Sequence, residues 1–158
     1  MEPYALPGNG SVVFESRPKV INVLLVEDDP GDVLMTREAF ERYKVVIPLH
    51  VVRDGVEAME FLRRTGVHAD APRPDLILLD LNLPRMNGHE VLAAVKADEH
   101  LRSIPIVVLT TSEAEEDVAR SYHLHANAYV TKPVDFDAFA GAIRRIDDFF
   151  LTVVARPD

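Results

Sequence analysis

Short apolar runs alternate with stretches of helical periodicity along most of this chain. The runs are rich in Val, Ile and Leu and end at charged or hydroxyl-bearing residues, so they predict buried strands. They cover residues 20–26, 49–52, 76–79, 104–109 and 128–130. Because strands and helices alternate strictly, we expect a parallel sheet with helices on both faces.

The same pattern selects a topology and orients the helices. The second and fifth runs are the least apolar, as edge strands are. The expected fold class is therefore doubly wound α/β, a five-stranded parallel sheet in the flavodoxin-like order 2-1-3-4-5 with five helices. Helix starts are predicted at the capping residues Asp29, Asp54, Ser112 and Asp135. The side chains expected to face the core are Met35, Ala39, Phe40 and Tyr43, then Ala58, Met59 and Leu62, then Val91, Leu92 and Val95, and finally Phe139, Ile143, Ile146, Phe150 and Val153.

The length of 158 residues suits one domain. Residues 1–18 contain several prolines and glycines and no apolar run long enough for a signal peptide or membrane helix, so they predict a flexible N-terminal tail. Residues 19–152 are expected to form the domain, and residues 153–158 a C-terminal tail. No further output domain is expected.

Composition narrows the functional classes. A net charge of −9 opposes general attraction to nucleic acid or anionic membranes, and the basic residues are scattered. The lack of cysteine removes disulfides, thiolate zinc sites and cysteine nucleophiles, and it fits a reducing, cytoplasmic location. The histidines are dispersed, and the spacing of His123 and His125 does not suit a helical ligand pair, so none is assigned to a metal.

Polar side chains follow four of the five predicted strands. They are Glu27, Asp28, Asp80, Asn82, Thr110 and Lys132. Because the carboxyl ends of parallel strands meet at one edge of the sheet, we expect these side chains to lie together. Three converging carboxylates would repel one another, and ligation by oxygen alone suits Mg²⁺, so the pattern predicts a magnesium site.

A magnesium ion among carboxylates points to phosphoryl chemistry. The ion can bridge a phosphoryl oxygen and Asp80, which lowers the repulsion that keeps an anionic nucleophile from phosphorus. Lys132 would add a positive charge and Thr110 a hydrogen bond to the phosphoryl oxygens. Taken singly, each residue is better explained as a helix cap or a surface residue, so the prediction depends on their joint occurrence.

Four motifs in a characteristic order and spacing carry a family resemblance. They are LLVEDD at residues 24–29, LLDLNLP with NG at residues 78–84 and 87–88, IVVLT at residues 106–110 and YVTKP at residues 129–133. With them the chain closely resembles the receiver domain of two-component response regulators. The resemblance implies that Asp80 accepts a phosphoryl group from a histidine kinase phosphohistidine. It also implies that Asp28 binds Mg²⁺ directly, Glu27 mainly through water and Asn82 through its backbone carbonyl, while Lys132 pairs with the phosphoryl group.

The resemblance implies a switch as well. On activation Thr110 would move toward a phosphoryl oxygen and Tyr129 would turn inward, altering the face of the fourth helix, fifth strand and fifth helix for partner binding or self-association. Asn82 and Ser112 occupy the two positions that tune phosphoryl lifetime in this family. Ser112 carries neither a carboxylate nor an amide, so the lifetime stays open.

Three further segments, residues 27–32, 71–75 and 132–136, resemble the single-domain subgroup often partnered with bacterial phytochrome histidine kinases. This implies a stand-alone phosphoacceptor signalling protein rather than an enzyme, with a red-light kinase as donor and an unknown downstream partner. Neither nucleic acid nor a membrane is expected as a partner.

Several alternatives stay open at this point. The protein can drain phosphoryl groups from a relay instead of transmitting a signal. A Mg²⁺-dependent aspartyl phosphohydrolase is disfavoured, because Asn82 stands where haloacid-dehalogenase-like phosphatases carry a second Asp that protonates the leaving group. A vestigial site used only for docking is disfavoured because all six positions hold competent residues. Self-association is expected from Phe149, Val153 and Val154 in the last helix, with intrachain packing as the alternative.

Overall fold

A computed structural model describes residues 4–5, 12–13, 20–41, 47–121, 126–135, 137–138 and 140–141. Five parallel strands form its main sheet: β1 (Val23–Val26), β2 (Leu49–Val52), β3 (Leu76–Asp80), β4 (Ile106–Thr110) and β5 (Ala128–Thr131). Their hydrogen-bonded order is β2-β1-β3-β4-β5, which confirms the predicted order. Each strand is parallel to its neighbours, so all five carboxyl ends lie at one edge.

Helices follow the first four strands. They are α1 (Pro30–Phe40), α2 (Gly55–Arg63), α3 (Gly88–Ala97) and α4 (Glu113–Ser121), with a 3₁₀ helix at Gly66–His68. The predicted fifth helix falls mostly outside the described residues, of which 137–138 and 140–141 are helical. Within the described part of the chain, no helix has the length and apolar character needed to cross a membrane.

Side-chain caps mark the starts of the helices. The side chains of Asp29, Asp54 and Asn87 accept hydrogen bonds from backbone N–H groups in the first turns of α1, α2 and α3. Asp135 accepts one from the N–H of Ala138, at the predicted start of the last helix. Each cap satisfies N–H groups that have no partner within the helix, so each cap stabilises the first turn of its helix.

The core lies on both faces of the sheet. Alternate side chains of β1 and β3 point to opposite faces, which explains why these central strands are continuously apolar. One face holds Leu24, Val26, Ile77 and Leu79 with the buried residues of α2 and α3, and the other holds Val23, Leu25, Leu76 and Leu78 with Ala39 and Phe40 of α1. The residues of α2 and α3 that were expected to face the core are buried.

One core prediction in α1 was wrong. Met35 is 43% exposed, and Thr36 takes the inward position instead. The Thr36 hydroxyl donates to the carbonyl of Asp32 at 2.9 Å, so this small polar side chain can be buried without losing its hydrogen bond. Of the remaining residues predicted to face the core, Tyr43, Phe139, Ile143, Ile146, Phe150 and Val153 lie outside the described part, as do Phe149 and Val154.

The N-terminal segment contains a short strand pair that the sequence pattern did not predict. Tyr4–Ala5 and Val12–Val13 are antiparallel, with Tyr4 opposite Val13 and Ala5 opposite Val12. Whether residues 1–18 form a tail and whether the domain ends at residue 152 stay predictions.

Candidate functional site

Three carboxylates converge where β1 and β3 end. Glu27 and Asp28 follow β1 directly, and Asp80 is the last residue of β3, the strand paired with β1. One oxygen from each of the three side chains lies within 4.8 Å of the others. Glu27 and Asp80 are 1% and 2% exposed, whereas Asp28 faces solvent. Two of the three carboxylates are therefore buried, and the third is accessible to solvent.

Lys132 reaches this cluster from the end of β5. Its Nζ donates to Glu27 Oε1 and Asp32 Oδ2 at 3.0 Å each and to Asp80 Oδ2 at 3.3 Å. The backbone N–H of Lys132 also donates to the carbonyl of Thr110 at 2.7 Å, which fixes the start of the side chain beside β4. One ammonium group thus contacts three carboxylates.

Electrostatics show that the cluster is short of positive charge. Burial and the neighbouring Asp80 together raise the pKa of Glu27 to about 7, although hydrogen bonds from Lys132 and from the Asp29 N–H act to lower it. Burial would lower the pKa of Lys132, but hydrogen bonds to Asp32 and Glu27 and the charge of Asp80 raise it above its ordinary 10.5. The lysine stays charged, yet it does not compensate every carboxylate.

The donor set of this cluster fits a hard divalent cation. Glu27, Asp28 and Asp80 offer carboxylate oxygens. Mg²⁺ prefers such oxygen ligands and keeps several waters, which suits a site with one exposed acid. A divalent ion would also supply the missing positive charge.

A tightly packed loop, residues 81–87, places Asn82 beside Asp80. The Asn82 N–H donates to Asp80 Oδ1 at 3.1 Å. At the end of the loop, a Cβ on Gly88 would lie 2.4 Å from the carbonyl oxygen of Asp80 and 2.6 Å from Leu81 Cα. These contacts are too short for any side chain, so glycine allows α3 to start against the strand end.

An ion pair ties the far side of this loop to α2. Arg85, at φ 64°, donates from Nε to Asp54 Oδ2 at 2.9 Å and from Nη2 to Asp54 Oδ1 at 3.0 Å. Burial alone would raise the pKa of Asp54, but hydrogen bonds from the N–H of Glu57 and from Arg85 outweigh it and lower the pKa below 3.8. The aspartate therefore caps α2 and anchors the loop with one carboxylate.

Thr110 ends β4, the other neighbour of β3. Its side chain is fully buried, and its Oγ1 has no hydrogen-bond partner among the described residues. A buried hydroxyl without a partner is costly, so this group can still donate a hydrogen bond.

A cavity opens beside the cluster. It has a volume of ≈ 370 Å³ and is lined by Asp32, Met35, Thr111, Lys132 and Pro133. A larger cleft of ≈ 430 Å³ lies near the ends of α2 and α3, away from the carboxylates, and contains Arg63, Arg64 and Arg73. The smaller cavity borders Lys132.

Known proteins match this chain over most of its length. Residues 23–144 match the response regulator receiver domain family. The chain belongs to this family. Response regulator Rcp1 from Synechocystis sp. is 45% identical over 140 residues, which are 89% of this chain and 94% of Rcp1. The predicted family and fold are thereby confirmed.

Solved structures give the same result for this receiver domain. The bacteriophytochrome response regulator AtBRR has a TM-score of 0.77 at 45% identity, covering 82% of this chain and 94% of its own. The phosphorylated cyanobacterial phytochrome response regulator RcpA has a TM-score of 0.70 at 45% identity, covering 85% and 96%. The Mn²⁺-bound form of Rcp1 has a TM-score of 0.68 at 45% identity, covering 89% and 100%. Mn²⁺ in Rcp1 is a hard divalent ion like Mg²⁺, and the acidic cluster of this receiver can hold such an ion.

Tyr129, the second predicted switch residue of the receiver, is already mostly buried. It is 8% exposed, and the Arg120 guanidinium lies 4.1 Å from the centre of its ring. This geometry is a cation–π contact between α4 and β5. The predicted inward turn of Tyr129 on activation stays a prediction.

Two residues of the receiver site were not predicted as site residues. Asp32, in the first turn of α1, accepts from Lys132 Nζ at 3.0 Å. Glu115, in the first turn of α4, accepts from Asn82 Nδ2 at 3.0 Å. Both fit the general preference for acidic side chains in the first turn of a helix, where they interact favourably with the helix dipole. Their position in the first turn of a helix that starts beside the site was the signal in the sequence that could have identified them as site residues.

Proposed function

We propose that this receiver domain accepts a phosphoryl group on Asp80 from the phosphohistidine of a histidine kinase. The observation that carries the proposal is the contact set of one buried carboxylate. Asp80 accepts from Lys132 Nζ at 3.3 Å and from the N–H of Asn82 at 3.1 Å, within a cluster of three carboxylates. These contacts orient its oxygens at the sheet edge, where a donor can approach.

The reaction transfers one phosphoryl group. An Asp80 oxygen forms a bond to phosphorus while the P–N bond of the phosphohistidine breaks, and the imidazole nitrogen keeps the electron pair and takes a proton. Asp28, Asp80, the Asn82 carbonyl and, through water, Glu27 would hold Mg²⁺, which would neutralise charge during the transfer.

Lys132 and Thr110 are proposed to stabilise the phosphoryl group on Asp80. Lys132 already lies within hydrogen-bond distance of Asp80, so its ammonium can pair with the phosphoryl oxygens that arrive there. Thr110 offers a buried hydroxyl that has no competing partner among the described residues. Movement of Thr110 toward the phosphoryl group, together with Tyr129, would change the surface of α4, β5 and the following helix.

The proposed output is binding rather than turnover. Asn82 cannot protonate a leaving group, which disfavours a phosphohydrolase and supports a non-enzymatic signalling role. Asn82 and Ser112 are proposed to influence phosphoryl lifetime. Self-association through the last helix stays a prediction, because its residues lie outside the described part.

The relatives support a particular pathway. RcpA and AtBRR are named as phytochrome and bacteriophytochrome response regulators. We therefore propose a bacterial phytochrome histidine kinase as donor and the cytoplasm, where ATP is available to the kinase, as the location. Phosphotransfer rates from the kinases of the source organism would test this, and a faster transfer from a kinase without a phytochrome module would count against it. A role as phosphate sink would appear as efficient transfer with no partner that prefers the phosphorylated form.

The phosphoacceptor proposal is tested by intact-mass measurement. The purified protein is incubated with a small acyl-phosphate donor, with Mg²⁺ or with a chelator. We expect one added phosphoryl group with Mg²⁺ and none with the chelator. Asp80→Asn should remain unmodified, whereas the control Asp70→Asn, at an exposed turn, should be modified like the wild type. Modification of Asp80→Asn would contradict the proposal.

A further inference from the structure

Glu115 connects the two loops that flank Asp80. Its Oε2 accepts from Asn82 Nδ2 at 3.0 Å and from Thr111 Oγ1 at 2.8 Å, and its Oε1 accepts from the backbone N–H of Thr111 at 3.2 Å. Asn82 belongs to the loop after the phosphoacceptor strand, and Thr111 follows the last residue of β4. A single carboxylate thus holds three donors on two loops.

The start of α4 holds this carboxylate in place. The Glu115 N–H donates to Ser112 Oγ at 3.2 Å, and the N–H of Glu116 donates to the carbonyl of Ser112 at 3.1 Å. The backbone of Glu115 is therefore fixed within the first helical turn. Hydrogen bonds to an ionised acceptor are stronger than neutral ones, so the charge of Glu115 strengthens the link between the loops.

This link opposes the movement that the proposed function requires. Thr110 must shift its hydroxyl toward a phosphoryl oxygen, and the next peptide unit is the one whose N–H Glu115 holds. The Thr111 hydroxyl is held by the same carboxylate, so both bonds restrain movement of the Thr110–Thr111 backbone.

A phosphoryl group would also change the charge beside Asn82. The Asn82 N–H contacts Asp80 Oδ1, and its side chain contacts Glu115. Phosphorylation of Asp80 would place further negative charge on one side of Asn82 while Glu115 keeps its charge on the other. Repulsion between like charges would weaken the link in the phosphorylated protein.

We propose that Glu115 is a positioning residue that holds the Asn82 side chain and the Thr110–Thr111 backbone in the unphosphorylated arrangement. It thereby restrains the switch of the receiver and lowers its affinity for a phosphoryl group. This inference rests on the proposed function, because it concerns regulation of the same site. Ser112, at a position that tunes phosphoryl lifetime in the family, carries neither an acid nor an amide. The proposal gives a regulatory role to the carboxylate of Glu115, three residues further along the chain.

The test measures binding of beryllofluoride, a mimic of the phosphoryl group, in the presence of Mg²⁺ by isothermal titration calorimetry. Glu115→Gln keeps the shape of the side chain and removes its charge. We expect it to bind beryllofluoride about fivefold more tightly, the order expected when a charge-assisted hydrogen bond becomes a neutral one. Glu116→Gln is the matched control, since it removes the same charge from the adjacent residue. Glu116 pairs with Arg120 of the same helix at 3.3 Å. The affinity of Glu116→Gln should stay within about twofold of the wild type.

A second readout separates positioning from a general effect on the helix. In the Asn82→Ala background, the gain from Glu115→Gln should shrink, because part of the link is already gone. NMR signals of the Asn82 side-chain amide and the Thr111 N–H should shift in Glu115→Gln and stay in place in Glu116→Gln. Circular dichroism would verify that all variants are folded.

The outcomes distinguish the inference from the proposed function. Equal affinities in wild type, Glu115→Gln and Glu116→Gln, or weaker binding in Glu115→Gln, would overturn the role of Glu115 and leave phosphorylation of Asp80 standing. A wild type that is folded and binds Mg²⁺ but does not bind beryllofluoride would overturn both.

Discussion

Glu27 should make the metal-free receiver less stable as the pH rises. Its pKa of about 7 in the folded protein lies above the model-compound value of 4.5, so the folded state binds this proton more tightly than the unfolded state. Stability is therefore lost as the pH rises above about 4.5, and the loss is complete above about 7. With about 1.4 kcal/mol for each pKa unit, the full loss is about 3 kcal/mol.

Glu27→Gln isolates this effect from other groups. The raised pKa of Lys132 contributes stability that is fully present below pH 10.5, so it adds no slope near neutral pH. Burial lowers the pKa of His50 below 6.5, so His50 adds stability as the pH rises toward 6.5 and opposes the effect of Glu27. Removing the Glu27 charge changes the size of the Lys132 contribution, but that contribution stays independent of pH in this range. The His50 contribution is shared by wild type and variant and cancels in the difference.

The assay is urea unfolding followed by far-UV circular dichroism, in chelator, between about pH 5 and about pH 8. The free energy of unfolding of Glu27→Gln minus that of the wild type should grow by about 2 to 3 kcal/mol over this range, which contains most of the full effect. Mg²⁺ should stabilise the wild type more at the upper pH, because protonated Glu27 competes with the ion. A difference that stays flat with pH would refute the reasoning that burial and Asp80 raise the pKa of Glu27.

Three substitutions and one control test other contacts by urea unfolding. Lys132→Met should lower the stability of the metal-free protein by about 3 kcal/mol, because it leaves buried carboxylates without their cation; an unchanged midpoint would contradict this. Gly88→Ala should lower the free energy of unfolding by about 2 kcal/mol, since the new Cβ would lie 2.4 Å from the Asp80 carbonyl oxygen. Gly141→Ala is the control, because a Cβ there would have no atom within 4 Å, and it should not lower the stability. Asp54→Ala should cost about 1 kcal/mol through loss of the α2 cap, and a loss below about 0.3 kcal/mol would show that water replaces it.

The sheet could be predicted from sequence because its central strands are buried on both faces. Such strands must be continuously apolar, so Leu76 to Leu79 stand out, and a charged residue such as Asp80 marks where the strand leaves the core. The site residues could be listed for the same reason, since each follows an apolar run.

Side-chain partners across elements could not be predicted in this way. The contact between Glu115 and Asn82 depends on how the first turn of α4 approaches the loop after β3, and no local pattern contains that information. Met35 shows the same limit within one helix. Apolar residues lie on more than one side of α1, and Thr36 became the inward residue because its hydroxyl bonds to its own helix.

Chemical trapping of the phosphorylated residue tests the central claim most directly. The protein is incubated with an acyl-phosphate donor and Mg²⁺ and then treated with borohydride, which reduces an aspartyl phosphate to homoserine, and the modified residue is found by sequencing its peptides in a mass spectrometer. We expect homoserine at position 80 and unmodified side chains at Glu27, Asp28 and Asp32. Homoserine at Asp28 or Asp32, or no reduced residue in a protein that binds Mg²⁺, would contradict the assignment of Asp80 as the phosphoacceptor.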